Sequence, residues 1–211
     1  MTTRVVVLDY GSGNVHSVVR MLERIGAEVE LTADRDAVLA ADGLYVPGVG
    51  NFHACMTGLR AVGGDELVRT RLAGGRPVLG VCVGHQVLFE GSAEPSVGGA
   101  VPGIGCWTGS VVRLEASVVP HVGWTTVRVP IGSVLFAGVE RERFYFVHSY
   151  AARDLPAARW RDGAAPLVST AEHGREFVAA VEDGALRGTQ FHPEKSGDAG
   201  ATLLENWRKS L

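Results

Sequence analysis

With 211 residues, 46% of them hydrophobic, the chain can form one substantial α/β domain or two small ones, and folding at this size buries about 70% of the unfolded surface. A net charge of −3, without basic runs or an acidic tail, argues against a nucleic-acid partner, and no stretch approaches the roughly 18 apolar residues of a membrane span. Three cysteines in neither metal-ligand nor disulfide spacing point to a reduced, cytoplasmic setting, and the first residues do not read as a signal peptide.

Arg4 to Asp9 is a continuous apolar run, as expected of a central parallel strand. Tyr10-Gly11-Ser12-Gly13-Asn14 reads as a turn. A helix is predicted from Val15 to Ile25, with Val18, Met21, Leu22 and Ile25 on one face and Gly26 as its stop. Glu28 to Leu31 is a second strand, followed by a short helix around Asp36 to Ala40. A third strand, Gly43 to Val46, ends in Pro47-Gly48-Val49-Gly50. Helices are predicted at Phe52 to Leu59 and Asp65 to Leu72, and a strand at Pro77 to Val81. This alternation predicts a doubly wound α/β sheet flanked by helices, with ligands beyond the C-terminal strand ends.

After about residue 95 the texture changes to short Val-rich runs between Gly and Pro. Ser110 to Leu114, Val118 to Val129, Arg143 to Val147, Leu167 to Thr170 and Phe177 to Val181 read as antiparallel strands added to the same sheet system. Leu186 to Phe191 returns to the core. A last helix, Ala199 to Lys209, turns Leu203, Leu204 and Trp207 inward. No linker forces a boundary, so a single domain over 1–211 is expected.

The stretch from Val78 to Glu90 stands apart. It reads as a buried strand, a sharp turn at Cys82, and a helix. Glycines two positions away on each side make G-x-C-x-G, the thiol counterpart of the G-x-S-x-G nucleophile elbow. Glycine suits these positions because a Cβ would meet neighbouring backbone. A thiol at a helix mouth feels the positive end of the dipole, which favours the thiolate. Cys82 is therefore the candidate nucleophile.

Such a thiol needs an oriented base. Gln190-Phe191-His192-Pro193-Glu194 offers one: His192 lies at a strand end, and in extended chain Glu194, two residues on, points to the same side. A carboxylate there fixes the tautomer and supports the imidazolium, giving a Cys82, His192, Glu194 triad. Acyl transfer also needs oxyanion donors. The Val83 N–H follows the nucleophile directly, and the glycine-rich Pro47 to Gly50 loop can bring in a second donor.

Together, Gly80 to Gln86 and Gln190 to Glu194 resemble the triad-type (class I) glutamine amidotransferases. Asp9 to Asn14, Pro47 to Phe52, Pro120 to Trp124, Phe144 to Tyr150 and His192 to Ser196 are similar to the glutaminase subunits of imidazole glycerol phosphate synthases. The resemblance covers nearly the whole chain. It implies a flavodoxin-like mixed sheet with added antiparallel strands. It also implies hydrolysis of L-glutamine without metal or organic cofactor, and ammonia transfer to a separate (β/α)8-barrel cyclase subunit in histidine biosynthesis. Residue by residue it implies Cys82, His192 and Glu194 as the triad, and Val49, Gly50 and Val83 at the oxyanion hole. Gly48, Gln86, Glu94, Ser149 and Tyr150 would meet the substrate, and Asn14, Trp124 and Lys195 the partner. One departure is Thr125, where the family often has Asn after Gly-Trp.

Plainer readings stand beside these. Cys55 and Cys106 lack the elbow setting and read as core residues. His85 follows Cys82 closely but has no orienting carboxylate. His192 with Glu194 lacks a third metal ligand of matching spacing. His121, His148 and His173 are individually uninformative. Gly11-Ser12-Gly13 is too short for a dinucleotide fingerprint. Trp124 suits a core position or an interface anchor equally, whereas Trp207 reads as core. Alternatives for the whole chain are a glutaminase for anthranilate or guanylate synthesis, whose oxyanion loop usually carries a glycine run, a cysteine hydrolase or thiol-stress protein on a similar fold, and a binding subunit with a dead site.

Overall fold

In the computed structural model, which describes residues 2–155 and 165–211, short runs of branched apolar residues build the sheet centre. The first half of the chain alternates strand and helix: β1 (Arg4–Leu8), α1 (Val15–Arg24), β2 (Glu28–Thr32), α2 (Arg35–Ala40), β3 (Gly43–Val46), α3 (Phe52–Ala61), α4 (Gly64–Ala73) and β4 (Val78–Val81). Every residue of β3 and β4 is buried, as expected of strands covered on both faces. Side-chain caps start two of the helices: Asp34 accepts from the Ala37 N–H of α2, and Asn51 from the His53 and Ala54 N–H groups of α3. The Arg71 guanidinium of α4 is buried and donates to the carbonyls of Val38, Ala41, Asp42 and Pro77, clamping α4 to the entries of β3 and β4.

Beyond β4 the helix expected to run toward Glu90 is a single turn, α5 (Val83–Gln86), and the chain then enters β5 (Phe89–Ser92). The returning segment explains the stop. Ile104, Cys106 and Gly105 donate their N–H groups to the carbonyls of Val87, Leu88 and Phe89, which a longer helix would have used itself. So short a helix gives the Cys82 thiol much less dipole support than a long one.

The strands that follow are β6 (Trp107–Arg113), β7 (His121–Thr126), β8 (Arg143–His148), β9 (Tyr150–Ala152), β10 (Leu167–His173), β11 (Arg175–Asp183) and β12 (Leu186–Thr189). The main sheet has the order β10-β11-β12-β4-β3-β1-β2, parallel from β12 to β2, with β11 and β10 antiparallel at one edge. The mixed sheet is thus as expected, but only part of the added β structure joins it. Ser110 to Leu114, Val118 to Val129 and Arg143 to Val147 lie instead in two smaller sheets, β5-β6-β9 and the β7-β8 pair. β4 already has β3 and β12 as neighbours, so β5 to β9 pair among themselves, and only β11, on the free side of β12, and β10 beyond it extend the main sheet.

The chain closes with a 3-10 turn at Pro193–Lys195 and α6 (Gly197–Lys209), which buries Leu203, Leu204 and Trp207. Among the described residues no helix is long and apolar enough to cross a membrane.

Candidate active site

Cys82 joins β4 to α5 with φ 56° and ψ −114°, a backbone conformation that L-residues rarely adopt. Its neighbours account for the glycines. A Cβ at position 80 would stand 2.4 Å from the Gly84 carbonyl oxygen, and one at position 84 would stand 2.0 Å from that of Val46. A Cβ at position 48 would stand 2.1 Å from the Gly84 nitrogen. The elbow and the Pro47 to Gly50 loop are therefore packed backbone on backbone, which only glycine allows.

His192 meets this elbow from the end of β12. Its Nδ1 lies 2.7 Å from Glu194 Oε1, and the two side chains are only 3% and 2% exposed. The 3-10 turn at Pro193 brings Glu194 back beneath the ring, so the i, i+2 pairing comes from a turn and not from extended chain. The ring faces the same cavity as Cys82 and is influenced by its thiol. Burial opposes the imidazolium, but the hydrogen bonds and charges of Cys82 and Glu194 outweigh it and raise the His192 pKa to about 10. With Nδ1–H held by the carboxylate, Nε2 is free to exchange a proton with the thiol.

A cavity of about 430 Å³ opens in front of Cys82. Val49, Gly50, Val83, Gln86, Glu94, Ser149, Tyr150, His192 and Lys195, all singled out from sequence, line it together with Pro120, Val147 and His148. Glu94 Oε2 accepts from the Phe52 N–H at 2.8 Å, at the N-terminus of α3. Gln86 Nε2 donates to the Tyr150 carbonyl at 2.7 Å and to Gln190 Oε1 at 3.0 Å, bracing one wall. Gly48 and Asn14 are not on this wall. They line a smaller cavity on the far side of the loop, against His192 and Glu194.

The loop is held in a particular state. The Val83 N–H donates to the Gly48 carbonyl at 3.3 Å. The Gly48–Val49 peptide is trans, so its N–H points opposite to its oxygen. The Val83 donor is engaged, and the Val49 donor is turned away from it. One rotation of that peptide frees the first and swings the second round beside it.

A strained cysteine, an imidazole held by a carboxylate, and backbone N–H groups at the mouth of a pocket suit acyl transfer through a thioester. The description "Glutamine amidotransferase class-I" matches residues 6–210. The chain belongs to the class-I glutamine amidotransferase family. It is 60% identical to "Imidazole glycerol phosphate synthase subunit HisH" of Nocardia farcinica, over 98% of both chains. The proteins of that name from Mycobacterium tuberculosis and Streptomyces avermitilis are each 58% identical, over 98% of both chains and over 99% and 97% respectively. Among solved structures, PurLQS from Thermotoga maritima superposes with a TM-score of 0.68 at 17% identity, covering 98% of this chain and 97% of its own. The glutaminase domain of CTPS from Trypanosoma brucei gives 0.60 at 17% identity, covering 98% and 92%. At such identities the likeness speaks for the fold.

In this class-I amidotransferase, several groups around the site escaped the sequence reading. Tyr45 is fully buried in β3, and its hydroxyl donates to Glu194 Oε2 at 3.4 Å. Burial, then the Glu194 charge, hold its pKa well above the ordinary phenol value, so it stays a donor. A tyrosine within an apolar parallel strand was the available signal, because its hydroxyl must find a partner. Ser196 donates to the His192 carbonyl at 2.7 Å and accepts from the Tyr145 N–H at 2.9 Å, while the His192 N–H donates to the Tyr145 carbonyl at 2.9 Å. The base segment is thus tied to β8. Gln190 sits over the thiol, its Nε2 3.9 Å from Cys82 Sγ.

Trp124 is 51% exposed and Val122 57%, so the open choice for Trp124 resolves to the surface. The two share the outer face of the β7-β8 pair with Tyr145 and Val147, and Val147 also lines the pocket. Asn14, at φ 65° before α1, and Lys195 are also exposed. Cys55, Cys106 and Trp207 are buried.

Proposed function

We propose that the chain is the glutaminase subunit of an imidazole glycerol phosphate synthase. It hydrolyses L-glutamine to L-glutamate and ammonia. The ammonia passes to a separate (β/α)8-barrel cyclase subunit, which forms imidazole glycerol phosphate and AICAR from PRFAR in histidine biosynthesis. The chain acts as a single domain over 1–211, in the cytoplasm, as one half of a heterodimer. The observation that carries the reading is the strained Cys82 elbow sharing one cavity with a His192 that is hydrogen-bonded to Glu194. Near-full-length identity to the subunits of that name supports it.

His192 takes the thiol proton, and Cys82 Sγ attacks the carbon of the glutamine side-chain amide. A C–S bond forms, and the carbonyl electron pair moves onto oxygen. The Val83 and Val49 N–H groups, with Gly50, receive that oxyanion once the Gly48–Val49 peptide has turned; each donor lowers the barrier by about 2.7–4 kcal/mol. As the C–N bond breaks, the imidazolium gives its proton to the leaving ammonia. Water, deprotonated by His192, then attacks the thioester; the C–S bond breaks and glutamate leaves. Glu94 suits the substrate's α-ammonium, the Ser149–Tyr150 backbone its α-carboxylate, and Gln86 shapes the pocket around them, while Gly48 acts from behind through its carbonyl on Val83.

Free ammonia is mostly protonated at neutral pH and no longer nucleophilic, so a shielded route to the acceptor is needed. We take as the interface the exposed Val122 and Trp124 face and Lys195 beside the pocket, with Asn14 on the far side of the Pro47 to Gly50 loop. The test is ammonia release from glutamine by the chain alone and with the cyclase and its nucleotide substrate. The complex is expected to be faster by about 100-fold or more, as for a gained oxyanion donor. Equal high rates would overturn the partner assignment, and hydrolysis surviving Cys82→Ala would overturn the nucleophile.

A further inference from the structure

Three imidazoles lie together at the pocket wall, His148 in its lining and His121 and His173 beyond it, and the mechanism above uses none of them. His121 and His148 face each other across the β7-β8 ladder, on the side opposite Trp124. His121 Nδ1 is 3.1 Å from His148 Nε2, His148 Nδ1 is 3.0 Å from the Tyr150 carbonyl oxygen, and His121 Nε2 is 2.8 Å from the Thr125 hydroxyl. The His121 ring stacks on His173 at 4.3 Å and on Phe146 at 4.9 Å, which fixes its plane.

The direction of each bond follows from the last acceptor. A carbonyl oxygen only accepts, so His148 Nδ1 carries a hydrogen. Burial, then the neighbouring imidazoles, hold His148 down to about 3 against the Tyr150 bond, and burial followed by His173 holds His121 down to about 4. Both rings are neutral at physiological pH, with one N–H each. The His148 Nε2 is therefore bare and accepts from His121 Nδ1–H. The His121 Nε2 is bare in turn and accepts from the Thr125 hydroxyl. All three bonds run one way, from Thr125 on the hairpin to the Tyr150 carbonyl, which also receives Gln86 Nε2 at 2.7 Å.

We propose that Thr125, His121 and His148 are positioning residues: a one-directional hydrogen-bond chain that fixes the Ser149–Tyr150 segment for glutamine binding from the hairpin that carries Trp124. The functional half rests on the reading of Ser149 and Tyr150 as the substrate-carboxylate segment. The Thr125 hydroxyl then has a task of its own, completing the chain at its outer end.

The test has two arms on the chain in complex with its cyclase. Long-range 1H–15N correlation spectra are expected to show His121 and His148 as Nδ1–H tautomers. Thr125→Val, which keeps the β-branched shape, is expected to raise the KM for glutamine about fivefold with kcat nearly unchanged, and to disturb the His121 tautomer. Thr125→Ser is expected to restore both. An Nε2–H tautomer at either ring overturns the chain, as does a Thr125→Val variant with unaltered KM. Wild-type complex that shows the expected tautomers but no glutamine hydrolysis would instead overturn the glutaminase reading.

Discussion

The Val83 N–H donates to the Gly48 carbonyl at 3.3 Å, across the entrance to the proposed oxyanion site. In the proposed mechanism a tetrahedral intermediate lacks its nearest donor while that bond stands, and the Val49 N–H of the same peptide unit points away. We expect the Val83 amide to be protected from hydrogen exchange in the free chain. Protection should fall when the cyclase and its nucleotide ligand bind. A free chain that hydrolyses glutamine as fast as the complex, with its Val83 amide still protected, would show that this bond does not limit the reaction.

The carbonyls on either side of Gly48 are also held. The Tyr10 hydroxyl donates to the Pro47 carbonyl, and Cys55 Sγ lies 3.2 Å from that of Val49. Burial pushes the pKa of both groups up, so both keep their protons and remain donors. We expect these two anchors to confine motion to the Gly48–Val49 peptide and to stabilise the engaged state. Tyr10→Phe removes one hydrogen bond, worth about 0.5–1.5 kcal/mol net, or about 2- to 10-fold in an equilibrium. The variant is expected to raise hydrolysis by the free chain by that factor and to shrink the ratio of stimulated to unstimulated rate. An unchanged ratio would count against the anchoring role.

Behind the base, Tyr45 and Glu194 form the third support. Tyr45→Phe leaves the ring in place and removes the hydroxyl at Glu194 Oε2. The carboxylate then holds His192 less firmly. We expect kcat in the cyclase complex to fall roughly 3- to 10-fold with KM nearly constant, the pattern of a group that acts on the transition state through another residue. A rise in KM alone would place Tyr45 in binding instead.

What the sequence made readable follows from which contacts are local. The elbow glycines and Cys82 lie within five residues, and His192 and Glu194 within three, so both constellations show in the one-dimensional pattern. The β1 to β4 alternation was visible because each strand is a self-contained apolar run. By contrast, Ser196 acts on His192 and Tyr145 at once, and Tyr45 reaches Glu194 across the sheet; partners so far apart leave no local trace. The one-turn length of α5 was hidden because residues 104–106, well downstream, take the carbonyls that would have continued it. The separate β5-β6-β9 and β7-β8 sheets were hidden for a similar reason: alternation defines a strand but not its neighbour. His121 and His148 meant little singly and acquire meaning only in register across the β7-β8 ladder.

His85 leads to a prediction about acid stability. It is fully buried on α5, with its ring 5.3 Å from Phe89 and 5.4 Å from Trp107, and neither nitrogen meets a partner among the described residues. Burial, with a contribution from His148, lowers its pKa to about 3. The unfolded chain takes up this proton near pH 6.5, whereas the folded chain resists it down to about 3. The stability contribution is therefore complete above pH 6.5 and is lost as pH falls through that window, by about 1.4 kcal/mol per pH unit. His85→Met keeps a similar volume in an apolar setting and removes the titration. Urea unfolding at pH 7.5, 6.0 and 5.0 is expected to show a shallower acid limb in the variant, with the two proteins diverging as pH falls. Parallel limbs for wild type and variant would mean that His85 is already protonated, or solvated, within the fold.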